Sequence, residues 1–162
     1  MAPAAALSGA PFNPAWLFGA STGLLIPMYT LMAVAPSSPL TRELMLERAV
    51  PCIVLALLYV YMLGVAAQSG VLELVAAAIQ PFNISMPAVG ALFENNIVTL
   101  LTWVHLITLD LWQAREVMLD GLKEGVFTAH SVWLCFIFGP IGLLSHLITK
   151  KVTKHQRQSK AQ

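Results

Sequence analysis

Apolar residues run along this chain in long blocks separated by short polar breaks. Residues 14–36 read PAWLFGASTGLLIPMYTLMAVAP and carry no charged side chain. At 1.5 Å per residue such a block is long enough to cross ~30 Å of hydrocarbon as a helix. Pro27 lies inside it and predicts a kink, which neighbouring helices tolerate in lipid. Residues 37–49 form a polar connector with Arg42, Glu43, Glu47 and Arg48, and its RELMLER pattern fits a short interfacial helix. A second block covers residues 50–67, with Pro51 suited to its first turn and Tyr59 and Tyr61 in its second half. Residues 71–94 are apolar but broken by Gln80, Pro81, Asn83, Pro87 and Gly90. That pattern predicts a short interfacial helix and a loop, not another crossing. The third and fourth blocks cover residues 95–119 and 130–149, the fourth interrupted at Gly139-Pro140. The loop between them is short, so the two are expected to form an antiparallel hairpin.

The pattern predicts an all-α, polytopic integral membrane protein. Its expected architecture is a four-helix transmembrane bundle with a short interfacial segment between spans two and three. Residues 1–13 make an N-terminal extension, 14–151 the four-span membrane domain and 152–162 a basic C-terminal tail. The extension lacks the basic region of a secretory signal and the Arg- and Ser-rich character of a transit peptide.

Composition sharpens this reading. Hydrophobic residues make up 57% and charged residues 10%, against about 25% charged in a soluble domain. Mean hydropathy is +0.74. A water-soluble fold of this size could not cover its surface with so few charges. Five of the nine Lys and Arg lie between Lys150 and Lys160. Four spans put both termini on one side. The basic tail assigns that side to the cytoplasm-like face, which is the stroma in a plastid. Cys52 and Cys135 both sit in apolar runs, where cysteine behaves as a small buried hydrophobe. Their spacing fits no metal or redox motif. Phosphate-binding glycine loops, a serine-nucleophile motif and a nucleic-acid face are absent.

The chemistry concentrates in the third and fourth blocks. Asp110 interrupts an apolar run, and a mid-bilayer carboxylate costs ~2.5–3.5 kcal/mol on the lenient insertion scale. It must face the protein interior, either paired or protonated. If the hairpin turns near Gly125, His105 and His146 share one depth, and Asp110 lies level with Gly139, Pro140 and Gly142. Nearer the loop, Asp120, His130, Ser131 and Arg115 form a second polar level, where salt-bridging and capping are the plain roles. His105 and Asp110 differ by roughly 140° around a helix, so one spot cannot hold both unless the site spans two helix faces. No His-x₃-His or His-Glu-x-x-His pattern is present, and neither metal nor haem is expected on these histidines.

An ordered series of short motifs runs through the second half. It includes W-x-H-L at Trp103 to Leu106, D-L at Asp110-Leu111, A-R at Ala114-Arg115 and D-G-L at Asp120 to Leu122. H-S at His130-Ser131, L-C at Leu134-Cys135, P-x-G at Pro140 to Gly142 and S-H-x-x-T-K at Ser145 to Lys150 follow. With YTLMAVAP at Tyr29 to Pro36 and IVLALLYVYML at Ile53 to Leu63, the series resembles the plant and algal neoxanthin-synthase family, the abscisic-acid-deficient-four-like proteins. The family typically has Cys-Pro where this chain has Gly139-Pro140.

The resemblance implies a chloroplast envelope or thylakoid membrane protein of carotenoid metabolism, needed to make allenic neoxanthin from violaxanthin on the way to abscisic acid. That conversion opens a 5,6-epoxide and is an isomerisation, so one acid and one base suffice. Asp110 is the expected acid and His105 or His146 the expected base. Trp103, Arg115, Asp120, His130, Ser131 and Ser145 are the expected supporting or substrate-binding residues. The expected partners are a carotenoid substrate, membrane lipid and another membrane protein, with no nucleic acid and no cofactor. The rival expectation is a non-catalytic carotenoid-binding or scaffold subunit.

Overall fold

The computed structural model describes residues 11–79 and 85–160, and all its regular elements there are helical. The Asn13 side chain caps the first helix, accepting the backbone N–H groups of Ala15 and Trp16 at 3.0 and 3.2 Å. This helix, α1, spans Pro14–Val34 with Pro27 inside. Ser38 caps a short helix, α2, Pro39–Thr41, which runs on as a π-helical stretch Arg42–Glu47. Ala49, at φ 47°, turns the chain into α3, Val50–Gln68. Gly70 occupies the left-handed region at φ 75° and starts α4, Val71–Ala78. Ser85 caps α5, Met86–Leu92. Asn95 caps α6, Asn96–Glu124, through the N–H groups of Ile97 and Val98. Then come α7, Ala129–Ile137, and α8, Gly139–Lys160.

Three helical runs are long and apolar enough to cross a membrane: Pro14–Val34, Pro39–Gln68 and Asn96–Glu124. Their outward faces suit lipid. On α3 the exposed side presents Ile53, Leu57, Val60 and Tyr61. A surface of that kind has no counterpart on a water-soluble monomer. The third expected span falls on α6, a helix that runs on to Glu124. Between α3 and α6, α4 and α5 stand where one short helix and a loop were expected, and Gln80, Pro81 and Asn83 lie outside the described residues.

The expected fourth span, residues 130–149, is not one helix. It breaks at Phe138, and α8 folds back along α7. Ser131 donates to Ser145 at 3.1 Å, and His130 meets Thr149 at 3.0 Å. In a continuous helix those pairs would be ~21 and ~28 Å apart. Gly142 makes the close approach workable, because a Cβ there would lie 2.7 Å from the Cα of Cys135.

The chain divides into two compact units, and each is described by itself. One holds residues 11–21 and Leu55–Leu106. Its core is built from Met62, Ala66, Val71, Leu92, Ile97, Val98, Leu100 and Val104. The other holds Thr22–Val54 and residues from Ile107 onward. Tyr29, Met32, Met45, Leu111, Met118 and Val132 are among its largest fully buried side chains, and Cys135 is buried with them.

Candidate functional site

The second unit collects most of the polar groups. Asp110 on α6 is only partly buried and lies directly against Gly139, where a Cβ would fall on its carboxylate. Gly139 opens α8, so the carboxylate sits by a helix N-terminus, whose partial positive charge favours an anion. Gln113, one turn further along α6, donates its amide N–H to the Gly139 carbonyl and contacts the Cys135 sulfur at 3.4 Å.

Tyr29, from α1, completes this group. Its side chain is fully buried, against Phe136 at 4.9 Å and Trp133 at 6.5 Å between ring centroids. Its hydroxyl has no hydrogen-bond partner among the described residues. Phe136 follows Cys135 in the chain, so the Tyr29 ring lies at the same end of α7. Leaving a buried hydroxyl unpaired costs about 1–3 kcal/mol, so folding alone gives no reason for it.

Nearer the end of α6 lies an ion network. Asp120 accepts the Lys150 ammonium at 2.7 and 2.8 Å and meets His146 Nε2 at 2.7 Å. Glu124 pairs with Lys150 at 3.3 Å and Lys154 at 3.1 Å, and Arg157 donates to the Glu124 and Gly125 carbonyls. The hydrogen bond to Asp120 raises the Lys150 ammonium above the ordinary lysine range. A raised lysine keeps its charge until alkaline pH, so this clasp holds throughout the neutral range. These contacts run in one order along both helices, so α8 lies parallel to the end of α6.

The expected site residues separate accordingly. His146 is buried on Asp120, with its Nδ1 lacking a partner among the described residues. It stands seven residues, about 10 Å along α8, from Gly139 and so is not beside Asp110. His105 falls in the first unit, its ring 5.8 Å from that of Tyr59, where it borders an apolar cavity of about 350 Å³. The second unit thus holds His146 at Asp120, near the end of α6. The physical reason is the break at Phe138, which returns His146 toward the end of α6.

Trp103 stacks on Phe18 at 4.8 Å in the first unit. Arg115 donates to the carbonyls of Met45 and Leu46, which the π-helical stretch leaves available. His130, Ser131 and Ser145 fasten α7 to α8, and Thr128 holds the N-terminal position expected of His130 and Ser131. Sequence reasoning passed over Tyr29 and Gln113. Gln113 had a signal, because an amide three residues after Asp110 shares its helix face.

A broken helix whose inner end meets a carboxyl is the kind of arrangement that polytopic membrane proteins use to build sites within the bilayer. The chain belongs to the ABA DEFICIENT 4-like family, whose sequence model matches residues 16–146. Protein ABA DEFICIENT 4, chloroplastic, of Arabidopsis thaliana is 35% identical over 140 residues, covering 86% of this chain. The chain spans 63% of the length of that relative. No solved structure matches it.

Proposed function

We propose that this chain acts in xanthophyll metabolism, converting the epoxy-carotenoid violaxanthin to allenic neoxanthin in a chloroplast membrane. The observation that carries the reading is Asp110, a partly buried carboxyl lying against Gly139 where the α7–α8 helix is broken. The conversion needs no oxidant. A proton leaves C7, the C–H electron pair becomes the second double bond of the allene, the C6–O bond breaks and the oxygen takes a proton. Asp110 is the group that moves a proton, and a site reached from lipid suits a long apolar substrate. His146 is held on Asp120, so in this reading Asp110 carries the proton transfer. Membership in the family and the name of the Arabidopsis relative support the pathway and the compartment.

The test is reconstitution of the purified chain in liposomes with violaxanthin as sole substrate, followed by chromatography of the pigments. Neoxanthin is the expected product. Pigment that binds without converting would favour the rival reading, a carotenoid-binding or scaffold subunit.

The same reading predicts topology. Three crossings with a hairpin that enters and leaves on one side put the N- and C-termini on opposite faces, not on one. Single cysteines placed near each end, in a chain lacking Cys52 and Cys135, are expected to react with an impermeant maleimide from opposite sides of sealed vesicles. Labelling from the same side would restore a fourth crossing.

A further inference from the structure

We infer that the Tyr29 hydroxyl is the donor that meets the epoxide oxygen, and that Asp110 accepts the proton from carbon. The inference rests on the proposed epoxide-opening reading and names a second group at the same site. Two independent observations converge on it. The hydroxyl is buried with no partner among the described residues, and its ring packs on Phe136, next to the break between α7 and α8. The Asp110 carboxyl is only partly buried and lies against Gly139, which opens α8 on the other side of the same break. A carboxylate is an acceptor, and a phenol is a donor of a strength suited to an oxygen that develops charge.

The step balances within the pair. Asp110 takes the C7 proton and the C–H electrons form the new C6=C7 bond. The C6–O bond breaks, its electrons stay on oxygen, and that oxygen takes the Tyr29 proton to become the C5 hydroxyl. Asp110 then returns its proton to the phenolate. No water or outside base is required, which fits a site bounded by apolar side chains.

The test is Tyr29→Phe, which keeps the ring and its contacts and deletes only the oxygen. Purified wild-type and variant proteins are reconstituted and titrated with violaxanthin and with its de-epoxidised counterpart. The variant is expected to bind the epoxide about tenfold more weakly, the worth of one hydrogen bond, and the epoxide-free carotenoid unchanged. Turnover is expected to fall ~10²-fold or more, with thermal stability equal or higher. Selective loss of epoxide affinity without any turnover in the wild type would sustain the Tyr29 contact and sink the proposed reaction. Equal binding of the epoxide by both proteins, or equal weakening toward both carotenoids with lower stability, would overturn the inference.

Discussion

Asp110→Asn is expected to lower neoxanthin formation by about 10²–10⁴-fold while the protein still inserts, folds and binds carotenoid. The argument is one of shape against charge. Asparagine keeps the size and planarity of the carboxyl, so the contact with Gly139 and the neighbouring Gln113 amide survive. What it loses is the ability to take and return a proton. It also removes an ionisable group whose presence at mid-bilayer costs ~2.5–3.5 kcal/mol on the lenient scale. Stability should therefore hold or rise as activity disappears, the opposite of what a structural carboxylate would give. The Asp120→Asn change makes the contrast, since Asp120 holds His146 and Lys150 and loses pairing energy when neutralised. Thermal unfolding in detergent, measured beside pigment conversion, separates the two. A variant at position 110 that converts violaxanthin at the wild-type rate would remove Asp110 from the chemistry.

Much of this was legible in the sequence, and the part that was not has a specific cause. Block lengths marked α1, α3 and α6, because about twenty mostly apolar residues with few charges have few other uses. Reflection about the loop near Gly125 put Asp110 level with Gly139, and the two do meet. The same reflection failed beyond Gly139. It assumed a helix that continued, whereas α8 turns back and carries His146 to Asp120 and Lys150 to Glu124. Gly139-Pro140 was visible as an interruption, but composition does not distinguish a kink from a reversal. The reversal needs the backbones of α7 and α8 in close contact, and that depends on Gly142 facing Cys135, a relation between positions seven apart. Tyr29 was hidden for a different reason. In an apolar block a tyrosine reads as wall, and only the absence of a partner for its oxygen marks it out.

That close approach gives the second large effect. Gly142→Ala is expected to destabilise the protein by roughly 1–3 kcal/mol and to cost it most of its activity. The new methyl would fall against the backbone nitrogen, Cα and sulfur of Cys135. Backbone atoms in a helix cannot rotate aside as a side-chain tip can, so α7 and α8 must part. Parting weakens the Ser131–Ser145 and His130–Thr149 contacts. It also shifts Gly139 away from Gln113 and Asp110, which sets the second effect on the site itself. The control is Gly64→Ala on α3, where a Cβ meets nothing within 4 Å. There the higher helix propensity of alanine should leave stability unchanged or raise it by up to about 1 kcal/mol. Melting both variants in the same detergent decides the point. If Gly142→Ala melts with the wild type, the two helices are not in backbone contact, and a continuous fourth span becomes the better description of residues 130–149.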